Sequence, residues 1–262
     1  MGNFVAASSI TILTAAMLLF GGTHPAAAAR VVDHSCAQGQ VIEGVVASGN
    51  AMMFRLAGDD RTFSLAQLVP YRKPSGNLKQ WHGTKVQLFP SAEKPDRYGR
   101  LPVQAFLGPD ATRQWLQGWF LEEGQALFDG KAADDACSKA MLRAERAAFN
   151  EGKGVWVSSR TIRFRSHEVE DILEASGRLV VVEGRVLSVG DRKRRLYLNF
   201  GRKWREDFTI IADKKGKSAF KGDMGTLQAA KGSFIRVRGI VEMSGGPMIK
   251  VTHGAQLQIH ER

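Results

Sequence analysis

From Gln40 to Phe89 the apolar positions fall in short runs rather than at helical spacing. Val41, Val45, Met53, Phe54, Leu56, Phe63, Leu65, Leu68, Val86 and Leu88 are broken up by Gly49-Asn50, Gly58-Asp59-Asp60 and Pro74-Ser75-Gly76. Such runs, punctuated by turn residues, predict short β-strands. One more strand is expected from Val103 to Leu107, after which the period lengthens. Thr112 is placed to cap a helix running to about Glu123, with Trp115, Leu116, Trp119 and Phe120 on one face and Gly124 ending it. A second helix is predicted from about Asp135 to Asn150, with Met141, Leu142, Glu145 and Phe149 at helical spacing. It stops at Gly152-Lys153-Gly154, and Trp156 follows. Strands closing a barrel with helices packed on it make an α+β, mainly β, fold class.

The last third returns to strands. Leu179 to Val182 starts one that continues to Val189, with Gly184 read as a bulge. The basic turn Arg192-Lys193-Arg194-Arg195 enters Leu196-Tyr197-Leu198-Asn199-Phe200, and Arg202-Lys203-Trp204-Arg205 leads to Phe208 to Ile211. A loop with Lys214, Lys215, Lys217 and Lys221 precedes the strand Phe234 to Val241. There Ile235 and Val237 share one face, Arg236 and Arg238 the other. Met248 to Val251 and Leu257 to His260 complete a second small barrel, expected to be OB-like. The organisation read from this is 1–29 as an export signal, 30–160 as a first domain, 161–175 as a linker with a helix, and 176–262 as a basic β domain.

Charge sharpens that division. The chain carries a formal net charge of +11, and from Ser176 onward there are 18 Lys and Arg against 8 Asp and Glu. One third of the chain therefore holds nearly all the positive field, which points to an anionic partner for that third. At the other end, the apolar run Ile10 to Phe20 and Ala27-Ala28-Ala29 before Arg30 read as a cleavable export segment. The expected location is periplasmic or secreted; if the segment stays uncleaved it anchors the chain in a membrane. In an oxidising compartment the only two cysteines, Cys36 and Cys137, would pair. The six histidines are scattered, with no spacing that gathers metal ligands on one face.

Three short motifs then carry a resemblance. Asp96-Arg97-Tyr98-Gly99-Arg100 before an apolar strand resembles the D-x-Y-G-R signature of staphylococcal-nuclease-like domains. Leu121-Glu122-Glu123-Gly124-Gln125-Ala126 is similar to that family's helix-ending L-V-x-x-G-x-A. Ala144-Glu145-Arg146-Ala147-Ala148, followed by Gly152 to Trp156, is similar to its A-E-x-x-A…G-x-G-x-W. The resemblance spans roughly Gln40 to Trp156 and implies a five-stranded OB barrel with packed helices. In active members it also implies calcium-dependent phosphodiester cleavage of DNA and RNA. That chemistry needs carboxylates to hold calcium, a carboxylate to activate water, and arginines to neutralise the transition state. Here Ser48-Gly49-Asn50-Ala51 stands where the family has D-G-D-T. Ser64-Leu65-Ala66-Gln67-Leu68-Val69, then Pro70-Tyr71, replaces R-L-x-G-I-D-x-P-E. Arg100 is the surviving catalytic position, so the calcium site is expected to be lost and no cofactor is expected.

The last third is similar, more weakly, to the C-terminal extension of some bacterial secreted nuclease-like proteins, through its Y-L-N-F-G and V-R-G runs. Basic turns interleaved with aromatics fit what OB-type modules use on single strands, cations for phosphates and rings for bases. Alternation sends Leu196, Leu198 and Phe200 to the core and leaves Tyr197 and Trp204 as exposed candidates. The expected phosphate contacts are Arg192, Lys193, Arg194, Arg195, Arg202, Lys203, Arg205, Arg236 and Arg238, with Trp204 as a ring. The expected function is an exported, catalytically degenerate nuclease-like protein that binds nucleic acid or another polyanion. The alternative is a secreted phosphodiesterase with a rearranged site.

Overall fold

Asn50 ends the first long strand, β1 (Ile42–Asn50), and its side chain makes the turn that follows, accepting from the N–H groups of Met52 and Met53 at 3.2 Å each. The chain reverses there into β2 (Met53–Leu56) and again into β3 (Thr62–Leu65), giving an antiparallel meander. This computed structural model describes residues 33–50, 52–71, 81–108, 113–132, 134–203 and 205–260. The export segment, the Thr112 cap and Trp204 lie outside the described residues.

Beyond the meander, β4 (Leu68–Pro70) leaves to pair elsewhere, and β5 (Lys85–Pro90) lies antiparallel to β1. The next strand, β6 (Arg100–Leu107), pairs antiparallel with β5 and parallel with β3, Thr62 opposite Arg100. The order β1-β2-β3-β6-β5-β1 closes a five-strand barrel. Its interior is filled by Phe63, Leu88, Val103 and Ala105, all fully buried. After β7 (Gln114–Trp115), helix α1 (Leu116–Glu122) packs Leu116 and Phe120 onto the barrel, and β8 (Ala126–Phe128) pairs with β4.

Helix α2 (Asp135–Glu151) starts where Asp134 accepts a hydrogen bond from the Cys137 N–H at 2.9 Å, and it ends on Gly152 in the left-handed region (φ 61°). Its buried stripe includes Cys137, Met141, Ala144 and Ala148. Cys137 meets Cys36 at disulfide distance across 101 residues, and their Cα atoms are 4.6 Å apart.

The second half is a second β assembly. Its strands are β9 (Arg163–Arg165), β10 (Leu179–Arg185), β11 (Ser188–Asp191), β12 (Arg195–Asn199), β13 (Thr209–Asp213), β14 (Phe234–Ser244), β15 (Gly246–Val251) and β16 (Leu257–His260). They run in the order β11-β12-β13-β15-β14-β10-β9, with β16 added on β14. Pairing is antiparallel except β13 with β15 and β9 with β10. Alternation puts Leu196, Leu198, Ile210, Ala212, Ile235, Val237, Ile249 and Val251 in a fully buried core. Helix α3 (Val169–Glu174) adds Ile172, β9 adds Phe164, and α4 (Met224–Gln228) adds Leu227. This core thus begins well before Ser176.

The bulge expected at Gly184 is absent. The β10–β14 ladder runs unbroken through Gly184 opposite Ile235. Glycine is needed there for a different reason: a Cβ would sit 2.1 Å from the Ser166 Oγ.

From Val32 to Arg262 the chain forms one compact unit. The two halves share an apolar cluster of Leu127, Ala148, Val155, Trp156, Ile162, Leu179 and Val181. Beside it, Arg238 on β14 pairs with Glu145 on α2 at 2.7 Å, both almost fully buried.

Candidate nucleic-acid interface

Of the positions that the sequence resemblance assigns to metal and phosphate chemistry, Asn50, Ser64 and Arg100 lie on neighbouring strands, whereas Val69 on β4 packs with Leu127. Register brings Asn50 opposite Met53, Met53 opposite Ser64, and Thr62 opposite Arg100, on four neighbouring strands. The Arg100 Nε and Nη2 both donate to Asp96 Oδ2, at 2.8 and 2.6 Å, and its Nη1 lies 3.6 Å from the Met53 sulfur. The Arg100 hydrogen bond, ahead of backbone donors, holds the Asp96 carboxyl at about 2. Arg100 also sits 4.8 Å from the centroid of the exposed Tyr98 ring. Among the described residues no group of three or more His, Cys, Asp or Glu is placed to hold a metal ion.

The basic positions of the second half separate into three sets. In the first, the β11–β12 hairpin carries Arg192, Lys193 and Arg194, all exposed and held by no acid among the described residues. The residues before it are tied down, because Lys214 pairs with Asp191. Lys215, also exposed, follows β13 at the same end. Between them lies a groove of about 640 Å³, lined by Arg192, Arg194, Arg195, Tyr197, Asp213 and Lys215.

The groove's floor is the outer face of β12 and β13. Leu196 and Leu198 point into the core, so Arg195, Tyr197 and Asn199 face out. Tyr197 is half-buried and stands opposite Ile211. Arg195 donates from Nε to Asp213 Oδ1 at 2.9 Å, while Lys250 and the Ser218 hydroxyl reach Asp213 Oδ2 at 2.6 and 2.7 Å. Burial alone would raise the Asp213 pKa; the bonds from Lys250, Ser218 and Arg195 outweigh it and bring it down to about 2. Arg195 is in turn held above its ordinary range by the Tyr197 hydroxyl and then by Asp213. Arg195 thus shares Asp213 with Lys250 and fixes the floor, whereas the hairpin tip has no acid partner among the described residues.

The second set, Arg202, Lys203 and Arg205, is not part of this groove. It follows the far end of β12, whose five residues span roughly 13 Å. Lys203 there pairs with Glu206 at 3.2 Å, its backbone N–H bonds the Asp207 carboxylate, and Arg202 and Arg205 are exposed. Nearness in sequence to Arg192–Arg195 does not become nearness in space, because a strand intervenes.

Arg236 and Arg238 form the third set and correct the expectation of two surface cations. They do lie on the face opposite Ile235 and Val237, but there Arg238 is buried against Glu145 of α2, and Arg236, partly exposed, is engaged by Glu183. Arg238 is 5% exposed and bonds Glu145 and the Phe128 carbonyl, the latter at 3.0 Å. Arg236 donates to Glu183 at 2.6 Å and to Gln258 at 3.4 Å.

A cluster that sequence reading missed surrounds Glu183, which is 1% exposed and receives Arg163, Arg165 and Arg236 at 2.8, 2.9 and 2.6 Å. Burial would raise its pKa, yet the bonds from Arg163 and Arg236 bring it below its ordinary value. These residues come from β9, β10 and β14, which only the strand pairing brings together. The sequence signal available was an acidic residue in an otherwise apolar strand, Leu179 to Gly184.

No family model matches this chain, and no curated protein matches it.

Proposed function

We propose that this protein binds single-stranded nucleic acid through the basic hairpin and outer β12–β13 face, and that its nuclease-like first half does not cleave it. The observation that carries this reading is the groove where Arg192, Arg194 and Lys215, paired with no acid among the described residues, surround the outward ring of Tyr197. Cations that neutralise phosphates beside a ring that stacks on a base are the ordinary means of holding a single strand without sequence preference. Both halves support an OB-type reading: in each, the strands run first-second-third-fifth-fourth with the third and fifth parallel. In such barrels the second and third strands and the loop between the first two form the oligonucleotide face. In the second half that loop is the Arg192–Arg194 hairpin.

The reading of the first half as a degenerate staphylococcal-nuclease-like domain rests on Ser48, Asn50, Ser64 and Val69 at the chemical positions and on Arg100 being engaged with Asp96. Its charge stabiliser has an internal partner, and no group of three carboxylates or other ligands among the described residues is placed to hold calcium.

The test is fluorescence anisotropy of a labelled thymidine oligonucleotide against purified protein, with heparin as competitor. Tyr197→Ala is expected to weaken oligonucleotide binding about 5- to 100-fold, as loss of one base–ring stack does, and to leave heparin binding unchanged. Equal loss for both polymers, or no loss for either, would show that the face recognises charge alone.

A further inference from the structure

We propose that the seam between helix α2 and the β9–β10–β14 ladder is a second anion site, built to take a single phosphate group. A cavity of about 70 Å³ opens there, lined by Arg146, Phe149, Trp156, Arg163, Arg236 and Arg238 among others. None of its lining residues belongs to the hairpin groove.

The argument is one of donors and acceptors. A guanidinium carries five N–H donors and no acceptor, while an ionised carboxylate offers two oxygens. Arg163, Arg165 and Arg236 share the two oxygens of Glu183, and Arg236 reaches one further acceptor, Gln258. Arg238 is matched by Glu145 and the Phe128 carbonyl. Arg146 is exposed at the rim and pairs with no acid among the described residues. Trp156 also lines the cavity, and its buried indole N–H has no hydrogen-bond partner. Donors thus exceed acceptors around an open space: Arg146, Arg163, Arg236 and Arg238 line it with one carboxylate, Glu145, whose two oxygens are engaged from within.

A ligand suited to this wall offers only acceptors and carries more than one negative charge. The one carboxylate in the lining, Glu145, is already taken up by Arg238 and the Phe128 N–H, so the open donors favour an anion over a cation. Phosphate meets both demands, and its oxygens match the guanidinium fork. The wall is also pre-shaped: Arg163 stacks over the Phe149 ring at 5.1 Å, and that ring meets Trp156 edge-on at 5.4 Å.

Two sources could supply the group, a free phosphate or the terminal phosphate of a nucleic-acid chain. The full chain is titrated with inorganic phosphate at constant ionic strength while the indole N–H resonances are followed, that of Trp156 being assigned by its loss in Trp156→Phe. A saturable shift of that resonance is expected, absent with chloride. In Arg146→Ala, which leaves the internal ion pairs intact, the apparent affinity should fall tenfold or more, as for loss of one charged hydrogen bond. The same titration on the Arg192→Glu, Lys193→Glu, Arg194→Glu variant should be unchanged, which separates this site from the hairpin groove. In that variant, tighter binding of a 5′-phosphorylated than of a 5′-hydroxyl oligonucleotide assigns the site to a chain terminus. No such difference, with phosphate still bound, assigns it to free phosphate. A folded protein whose Trp156 resonance does not respond to phosphate, or an Arg146→Ala variant that binds phosphate like the parent, overturns the proposal.

Discussion

Replacing Arg238 with Met should destabilise the protein out of proportion to the size of the change. The guanidinium and the Glu145 carboxylate are 6% and 5% exposed and 2.7 Å apart. Arg238 also donates to the Phe128 carbonyl at 3.0 Å, and Glu145 accepts from the Phe128 N–H at 2.9 Å. Methionine fills much of the same volume, so the loss is electrostatic: a buried carboxylate keeps one backbone donor and loses its counter-ion. Removing one member of such a pair costs about 3–5 kcal/mol, against a total stability of roughly 5–15 kcal/mol for an ordinary domain. Glu145→Leu should cost a similar amount by stranding the guanidinium. The double variant should be less destabilised than the two losses added together, with a coupling of about 2–3 kcal/mol or more. It will not return to parental stability, because the Phe128 N–H and carbonyl both lose partners. Urea unfolding monitored by fluorescence and by circular dichroism measures all four proteins. Because the pair joins α2 to β14, both probes should report one transition in the parent. An Arg238→Met cost below 1 kcal/mol, additive single losses, or two resolved transitions would refute this picture of a seam held by a buried ion pair.

Other outcomes follow from single features. Cys36 and Cys137 should show no alkylatable thiol in unreduced denatured protein recovered from an oxidising compartment, and reduction should lower stability by roughly 4–5 kcal/mol for a loop of this length; two free thiols would exclude the bridge. The Asp213 carboxyl, held at about 2 when folded, contributes stability that is present above its unfolded value near 4 and is lost as pH falls toward 2. With allowance for solvent screening this amounts to about 1–2 kcal/mol. Asp213→Asn should flatten the acid limb of the stability curve, and an identical limb would argue against the Lys250–Ser218–Arg195 cage. Purified protein should not cleave DNA or RNA in the presence of calcium; turnover abolished both by chelator and by Arg100→Ala would reinstate the phosphodiesterase reading.

The legible parts of this fold are those governed by local periodicity. Alternation along β12 and β14 assigns Leu196, Leu198, Ile235 and Val237 inward correctly, because one face of each strand is fully buried. Helix α2 stops where Gly152 supplies the left-handed residue that a helix end needs. The cysteine pairing was readable from an even count and the expected compartment. Alternation cannot say what meets the second face, so Arg236 and Arg238 read as solvent-facing although Glu145 buries Arg238 and Glu183 engages Arg236. Spacing in sequence also misled for Arg202, Lys203 and Arg205, since a five-residue strand carries them away from the hairpin. The Glu183 cluster needs partners from 163, 165 and 236, a long-range arrangement set by strand pairing. Gly184 stood out in the sequence, but its reason, the approach of Ser166, is tertiary.

The central claim is that the tip of the β11–β12 hairpin holds the nucleic-acid phosphates. The most direct measurement is the salt dependence of oligonucleotide affinity in the parent and in the Arg192→Glu, Lys193→Glu, Arg194→Glu variant. Arg195 is held in the groove floor by Asp213, which it shares with Lys250, so Arg192, Lys193, Arg194 and Lys215 are the contacts to count. Each contributes about −0.7 to the slope of log affinity against log salt on a single strand. The parent should therefore show a slope near −3, and the variant, with weaker binding, a slope of about −1 or shallower. An unchanged slope and affinity in the variant, or a parent that binds no oligonucleotide at low salt, would contradict the claim.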